Sequence, residues 1–416
     1  MAYAEKRQSE AKGSKKVTWR ARYKRPDGKW DSVEGFPTKR TAEAFAEEQE
    51  AAVRAGRWID PKLSKKPFGE WAREWMAEQA PRGNTTTRRW ARLDADILPR
   101  WDAVPLDQIN WFEAENWANG LECDDVSATH ALSLMSSILT GAVDAKHLLV
   151  NPLFGRRRRR TAAAKVEIQA KDQTKLWVPP EQVLRGARRA GRRDGMHILT
   201  TAFTGMRWGE SLGLHRDRVL GERREAWDGG EFVCPILQIR EEVAEYQERN
   251  PDGKKGPIRV VLEPVKTRES NRDIDVPPFL AELLREHLES VKFGYVFCTK
   301  GGKHWRRGNF GRQVMDPVFD GREPLPASRG HAPREGWDPI MPGATMRALR
   351  HTHDTFQAQI GVAPILEHEQ AGHAYPGMKG RYQHPTPEMR QVRLDGLEGI
   401  FQKAMVALGW KTVWES

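Results

Sequence analysis

Two of the six tyrosines in the chain lie close behind a histidine near the C-terminus, in the stretch AGHAYPGMKGRYQH. Tyr375 is two residues after His373 and Tyr382 is nine residues after it. A phenol, with a pKa of about 10, is a weak nucleophile, but cationic neighbours stabilise the phenolate and a fixed position makes its attack unimolecular. Lys379 and Arg381 precede Tyr382, whereas Tyr375 lies in a turn too near His373 to share a substrate with it. The sequence therefore predicts Tyr382 as the reactive phenol and Tyr375 as a packing residue.

Two groups of arginines have the spacing of a phosphate-binding site. Arg207 follows a glycine turn in TGMRWGE, at the head of a predicted helix, where the backbone can approach a ligand closely. Glu210, three residues on, can hold a basic side chain in place. Arg347 and Arg350 share one helical face at i, i+3. Two guanidiniums can bracket one phosphate, although a single arginine is more often a surface residue or a carboxylate partner.

One lysine has a position suited to proton delivery. Lys266 lies in EPVKTRESNRDIDVP, between two strand-like runs, and KTRES is predicted to form a hairpin turn. A lysine at a hairpin tip can reach into a groove and donate a proton. The alternative is a solvated turn lysine without a catalytic role.

The charge of the chain is strongly basic and unevenly spread. The net charge is +11, and residues 1–66 hold 17 Lys/Arg against 10 Asp/Glu. A second dense block is the RRRRR run at 156–160. A basic module followed by a basic linker is typical of proteins that bind a polyanion such as nucleic acid. Solubility charge and codon bias toward Arg and Ala are the alternatives.

Length and residue usage limit the class of protein. A chain of 416 residues predicts two or three domains. The three cysteines are far apart and in no metal-ligand spacing, which indicates a reducing compartment. The N-terminus has no apolar core typical of a signal peptide, and no stretch approaches the roughly 18 apolar residues of a membrane span. We therefore expect a cytoplasmic protein with no membrane partner.

The N-terminal part, residues 1–60, is predicted to be a small β-hairpin or sheet packed on a helix. Alternating apolar residues in VTWRARY predict a strand, PDG a turn, and TAEAFAEEQEAAVRAG a helix. Arg20, Arg22 and Lys24 share the strand face opposite Trp19. This face is either a DNA-binding surface or a plain solvated one.

The rest of the chain is predicted to be mainly α-helical. Residues 66–154 form a four-helix module, in which Arg88 and Arg89 are candidates for phosphate contacts. Residues 155–174 are an exposed basic linker, in which Arg156, Arg157 and Arg158 are candidate DNA-binding residues. Residues 175–416 form a mostly helical domain with one small antiparallel sheet, and its expected strands are 232–239, 258–265 and 272–277.

The order of these motifs resembles the tyrosine recombinases, the phage-integrase family. The resemblance rests on Arg in TGMRWGE, Lys in a turn before SNRDI, RALRHT, and Gly-His with a tyrosine nine residues later. In residues 175–408 the resemblance consists of specific motifs, whereas in the earlier modules it consists only of the order of the domains. It implies an arm-type DNA-binding module, a helical core-binding (SAM-like) domain and a catalytic domain. The Ala- and Arg-rich composition suggests an actinobacterial phage or integrative element.

The resemblance implies a role for each candidate residue. Tyr382 would attack a DNA phosphodiester, forming a 3′-phosphotyrosyl link and freeing a 5′-hydroxyl. Arg207 and Arg350 would clamp the phosphate, and Lys266 would protonate the leaving oxygen. His373 would hydrogen-bond a phosphate oxygen.

Three further positions complete or depart from the family pattern. Glu210 would orient its basic neighbours, and His351 would orient the start of its helix. The family usually has His where this chain has Arg347. An arginine can donate to the phosphate but cannot act as a base, which leaves open the group that removes the Tyr382 proton.

The resemblance also implies partners. Because the phosphotyrosyl bond conserves the energy of the bond it replaces, no nucleotide, metal or other cofactor is expected. The partners would be double-stranded DNA attachment sites, three further copies of the chain in a homotetramer, and an accessory directionality factor. We expect the apolar face of the last helix to dock on a neighbouring protomer; it contains Val392, Leu394, Leu397, Ile400, Phe401 and Met405. Packing within its own domain is the alternative.

Two other functions stay open at this point. A type IB topoisomerase has the same catalytic set but relaxes supercoils alone. A DNA-binding protein that has lost catalysis is the other alternative, and Arg347 is the feature that supports it.

Overall fold

The computed structural model divides the chain into two compact units, Met1–Ile168 and Gln169–Ser416. Helices predominate and the sheets are small and antiparallel, which confirms the predicted fold class. The further division of the first unit near residue 60 remains a prediction. Part of the predicted linker, residues 160–174, lies outside the described residues. The structure describes residues 2–8, 17–79, 83–159, 177–227, 230–250, 254–327, 332–377 and 382–414.

The first unit begins with an antiparallel sheet of order β1–β2–β3 that packs on a helix. The inward residues of β2 include Ala21 and Tyr23, which are buried against Ala42 and Ala46 of that helix. The sequence analysis missed the first strand, because the short run YAEKRQ has almost no apolar alternation. The elements are β1 (Tyr3–Gln8), β2 (Val17–Lys24), β3 (Trp30–Phe36) and α1 (Lys39–Arg54).

The remainder of the first unit is helical around its own core. Its tryptophans include the buried Trp71 and Trp101, and the Trp71 ring nitrogen donates to the Ile138 carbonyl at 3.0 Å. The longest of these helices, α7, is long and apolar enough to cross a membrane by length and composition, but its inward residues pack in this core. The elements are α2 (Pro61–Ser64), α3 (Phe68–Glu78), α4 (Gly83–Arg92), a π-helical turn (Leu93–Ile97), α5 (Leu98–Trp101), α6 (Trp111–Asn119) and α7 (Asp125–Asp144).

The second unit contains two small sheets, so the prediction of one sheet is wrong. One sheet has the order β4–β5–β8, and β6 and β7 form a separate pair. The sequence analysis missed β4 and β6, because their charged residues hide the alternation. The strands are β4 (Val219–Trp227), β5 (Gly230–Ile239), β6 (Glu241–Arg249), β7 (Lys255–Pro264) and β8 (Arg272–Asp275).

The helices of the second unit surround a large apolar core. The first of them, α8, contains a break at Gly191, whose φ of 78° lies in the left-handed region. The helices are α8 (Pro180–Thr204), α9 (Trp208–Leu212), α10 (Pro278–Ser290), α11 (Arg307–Phe310), a π-helical turn (Gly311–Met315), α12 (Asp316–Phe319), α13 (Met346–Ile360), α14 (Pro364–Ala371) and α15 (Pro387–Leu408).

The last helix packs on its own domain. Leu397, Phe401 and Met405 belong to the main core of the unit, and Leu394 packs against the β4–β5 sheet. The prediction that this face docks on a neighbouring protomer is therefore wrong for Leu394, Leu397, Phe401 and Met405, because these four residues are already buried. Val392 remains exposed.

Candidate active site

The site begins at the junction of α8 and α9. Helix α8 ends at Gly205, whose φ of 68° is left-handed and whose added Cβ would stand 2.7 Å from the His353 ring. Arg207 then caps α9, and Glu210 in the first turn of that helix accepts from the Arg207 backbone N–H at 2.9 Å. The Arg207 guanidinium donates to the same carboxylate at 2.6 Å. This capping interaction fixes where the Arg207 side chain begins.

Glu210 also binds a second arginine. Arg272, at the start of β8, donates to both Glu210 carboxylate oxygens at 3.0 Å. Glu210 is 1% exposed; burial raises its pKa, but the charges of Arg272 and Arg207 outweigh burial and lower the pKa to about 2. The carboxylate is therefore ionised at neutral pH.

Arg350 reaches the same place from α13. Its guanidinium donates to the Gly205 carbonyl at 2.5 Å and to the Ala371 carbonyl at 2.9 Å. Burial, followed by repulsion from Arg207, lowers the pKa of Arg350 to about 10, so the side chain stays charged at neutral pH.

Both arginines donate hydrogen bonds to backbone carbonyls at the end of α14. Arg207 donates to the Gly372 carbonyl at 3.3 Å, next to the Ala371 carbonyl that Arg350 uses. Gly372 has a left-handed φ of 66°, and an added Cβ would stand 2.7 Å from a terminal nitrogen of Arg272 and 3.2 Å from one of Arg207. Only glycine fits here without displacing the guanidiniums.

His373 follows directly and is exposed. Its backbone N–H donates to the His368 carbonyl at 2.9 Å, which fixes its position behind α14. Desolvation, followed by the charges of Arg207 and Arg350, lowers the pKa of His373. The imidazole is therefore neutral at physiological pH and can donate one N–H to an anion.

The charges of this cluster favour an anion. Arg207, Arg272 and Arg350 carry three positive charges, and Glu210 carries one negative charge. Because Glu210 binds Arg272 through both oxygens, the excess charge lies on the partly exposed Arg207 and on Arg350. Two guanidiniums held by backbone carbonyls form a preorganised site for a phosphate group.

Three other predicted site residues have no hydrogen bond or ion pair to this cluster among the described residues. Arg347 is exposed in the first turn of α13, and His351 pairs with Asp354 of the same helix at 3.8 Å. Lys266 is exposed. Among the described residues, Lys266 and Arg347 have no hydrogen bond to Glu210 or to the arginines of the site. Their catalytic roles stay predictions.

Lys266 does not lie at a hairpin tip, so that prediction is wrong. The β6–β7 pair continues the β5–β8 pair and turns back between Arg249 and Lys255. Residues 265–271 join β7 to β8 at the base of this long hairpin, in a turn closed by the Ser270 N–H and the Thr267 carbonyl at 3.2 Å. The charged strand β6 supplies the pairing that the sequence analysis did not recognise.

The two tyrosines of the opening motif have different surroundings. Tyr375 is partly buried and packs edge-on against the His368 ring, with the ring centroids 4.9 Å apart. Tyr382 is 75% exposed and has no hydrogen bond to the arginine cluster within the described residues. Its predicted cationic neighbours, Lys379 and Arg381, lie outside the described residues.

Comparison with known proteins gives the relatives of this chain. No family model matches it. The integrase of Mycobacterium phage D29 is 23% identical over 84% of each chain, and that of Mycobacterium phage L5 is 23% identical over 85% of this chain and 86% of its own. A prophage phiRv2 integrase of Mycobacterium tuberculosis is 23% identical over 88% of each chain. The chain is thus similar over more than four fifths of its length to integrases of mycobacterial phages and of a prophage.

Two solved structures are also similar. The Tn1549 transposon integrase with transposon right-end DNA covers 80% of this chain and 99% of its own, at 16% identity and a TM-score of 0.48. A lambda integrase tetramer bound to a Holliday junction covers 88% and 92%, at 18% identity and a TM-score of 0.42.

The candidate DNA-binding residues of the N-terminal sheet lie on the face opposite α1. Arg20 forms an ion pair with Glu34, and Lys24 lies 5.5 Å from the Trp30 ring centroid. Arg22 lies 6.0 Å from the same centroid. A face of cations and one aromatic ring can contact a polyanion, although Glu34 already neutralises Arg20.

The helical module of the first unit has two basic grooves that meet at Ser133 of α7. Arg88 and Arg89 line a groove of about 750 Å³, and Arg156 and Arg157 line one of about 970 Å³. DNA binding by these residues stays a prediction.

Arg158 differs from its neighbours. It forms a buried ion pair with Asp125 at 2.9 Å and donates to the Asn119 side chain at 2.7 Å. The prediction that it lies in an exposed tether is wrong, because its guanidinium fixes residues 155–159 to the helical module.

The sequence analysis missed Arg272 as a site residue. It treated SNRDI as a landmark of the motif order and not as a source of ligands. A signal was present, because Arg272 is a charged residue at the start of the strand-like run RDIDVP. Such a residue needs a buried carboxylate, and Glu210 supplies it.

Proposed function

We propose that this chain is a site-specific DNA recombinase that cuts and rejoins DNA through a 3′-phosphotyrosyl intermediate, and so integrates or excises a mobile element in the bacterial cytoplasm. The observation that carries the proposal is the convergence of Arg207 and Arg350 on successive carbonyls at the end of α14. Exposed His373 follows those carbonyls directly, and Tyr382 is nine residues further along.

The arginines would hold the scissile phosphate. Arg207 and Arg350 each keep donors beyond those used on backbone carbonyls, since a guanidinium has five N–H groups. Their charge would stabilise the pentavalent phosphorus of the transition state. Glu210 and Arg272 would act indirectly, because they fix the Arg207 side chain and the carbonyl it contacts.

The chemical step would form one bond and break one. The Tyr382 oxygen attacks phosphorus and releases its proton to solvent, to which it is exposed, while the bond from phosphorus to the 5′ oxygen breaks. Lys266 donates a proton to that departing oxygen. Neutral His373 donates to a nonbridging oxygen. Arg347 can donate to the same phosphate but cannot accept the tyrosine proton.

Strand exchange follows from reversal of this step. A 5′-hydroxyl from the partner duplex attacks the phosphotyrosyl bond, releases Tyr382 and restores a phosphodiester. Because one ester replaces another, the cycle needs no nucleotide hydrolysis. Exchange of all four strands requires two double-stranded attachment sites and four protomers, so we propose a homotetramer on DNA, assisted by an accessory directionality factor.

A nicked attachment-site duplex tests the proposal. When the strand segment next to the nick is released by cleavage, rejoining is blocked and covalent protein accumulates. We expect adduct with the wild-type chain and with Tyr375→Phe, and none with Tyr382→Phe. Mass spectrometry of the digested adduct should find the DNA on Tyr382. An adduct formed by Tyr382→Phe would refute the assignment.

The same preparation separates the alternatives. Recombination between two sites supports the recombinase. Relaxation of supercoils without recombination indicates a topoisomerase, and DNA binding without any adduct indicates a protein that has lost catalysis.

A further inference from the structure

A buried cluster of charged residues lies beside the active site without belonging to it. Its centre is Asp275, which is fully buried at the end of β8. Arg223 of β4 donates to it at 2.6 Å, and Arg390 of α15 donates at 3.0 Å. Arg393, on the same helix, also donates to Asp275. One carboxylate thus joins the sheet to the start of the last helix.

The cluster extends to α14. Arg390 binds both carboxylate oxygens of Glu369, at 2.7 and 3.1 Å. Its remaining nitrogen lies 3.3 Å from Glu225. Three arginines and three carboxylates therefore balance in charge within the described residues. Burial lowers the pKa of Arg390, but Glu369 and Asp275 outweigh burial and raise it, so this arginine is always charged.

The Glu369–Arg390 pair lies on either side of Tyr382 in the chain and next to the carbonyls that bind the site arginines. Glu369 precedes Ala371 and Gly372, whose carbonyls bind Arg350 and Arg207. Arg390 lies in the first turn of α15. The two residues are 21 positions apart, and Tyr382 is in the chain between them. The pair therefore joins the two ends of the segment that contains the proposed nucleophile.

We propose that the Glu369–Arg390 pair is a clasp that positions Tyr382 for attack, with Glu369 as its positioning residue. The inference rests on the proposed function. Fixing both ends of a segment reduces the conformations open to it, and an oriented nucleophile reacts far faster than a free one. The same pair fixes the end of α14, where the phosphate-binding arginines are held.

The clasp should act on the chemical step and leave DNA affinity unchanged, because neither residue belongs to the predicted DNA contacts. Glu369→Gln retains the shape of the side chain and removes its charge. Glu369 is 30% exposed, so this change is milder than removal of the buried Asp275. Glu367→Gln makes the same chemical change on the same helix, at a residue with no ion pair among the described residues.

The experiment measures adduct formation by the full chain on the nicked duplex at saturating protein, together with the dissociation constant from fluorescence anisotropy. We expect Glu369→Gln to slow adduct formation by about 10- to 100-fold, the loss that a charge-assisted bidentate pair implies, with unchanged affinity. Glu367→Gln should match the wild type. Glu369→Asp restores the charge and should recover part of the rate.

Several results would contradict the clasp. It is wrong if Glu369→Gln cleaves at the wild-type rate, or if its defect is a weaker affinity with a normal saturated rate. If Glu369→Gln does not fold, Glu369→Asp replaces it, and a wild-type rate for that shortened side chain would refute the proposal. Loss of the Tyr382-dependent adduct in the wild type would instead refute the proposed function itself.

Discussion

Replacing Glu210 by glutamine should destabilise the protein and remove part of the pH dependence of its stability. Glu210 is 1% exposed and is bound by Arg207 and Arg272. Its pKa falls from 4.5 to about 2 on folding. A glutamine leaves the two guanidiniums without a counter-charge, next to the positive charge of Arg350.

The size of the effect follows from the pKa values. At about 1.4 kcal/mol per pKa unit, the shift from 4.5 to about 2 corresponds to about 3 kcal/mol of folding free energy at neutral pH. Since the folded pKa is the lower one, this stability is complete above pH 4.5 and declines as the pH falls toward 2. The wild type should lose about 0.8 kcal/mol of it by about pH 4 and about 2 kcal/mol by about pH 3.

Hydrogen exchange of the full chain, followed by mass spectrometry, measures the free energy of local opening around Glu210. Peptides that cover the end of α8 and all of α9 should open about 3 kcal/mol more readily in Glu210→Gln than in the wild type at neutral pH. The difference in opening free energy between the two proteins should become smaller from pH 5 to pH 3. Glu282→Gln, an exposed glutamate on α10, is the control and should show neither effect. A gap that stays constant with pH would refute the linkage.

Two further predictions concern a catalytic candidate and the basic residues. Lys266→Ala should slow adduct formation by about 100-fold. Sulfur in place of the leaving 5′ oxygen should restore the rate, because a thiolate departs without a proton; a defect that persists would contradict the role as proton donor. Arg156→Ala should reduce the salt dependence of DNA binding by about one charge. Arg158→Ala should instead lower the free energy of unfolding of the helical module by about 3 to 5 kcal/mol, which thermal unfolding measures. Equal effects of the two changes on the salt slope would contradict the burial of Arg158.

The elements that the sequence predicts well are those with a strong apolar period. The alternation in β2 and the helical spacing in α13 and α15 appear at the predicted places. Strands β4 and β6 escaped prediction, because a charged residue in a strand carries no periodic signal unless its partner is known. The partly buried Arg223 of β4 is an example, since its carboxylate partner Asp275 is on β8.

The same limit applies to the site. Arg207, Arg350 and His373 are recognisable from the motif order, and the relatives from mycobacterial phages are integrases. Glu369 has no motif that marks it, because its importance lies in its ion pair with Arg390.

The sequence by itself determined the class of chemistry: a scarce tyrosine, spaced basic residues and a basic N-terminal module indicate a protein that acts on DNA phosphates. Only the tertiary structure decided which charges face each other. It placed Arg350 beside Arg207, fixed Arg158 inside the helical module and buried the face of α15 that the sequence left available for a partner. The physical reason is that residue type and spacing set what a side chain can do, whereas burial and ion pairing depend on segments that are distant in the chain.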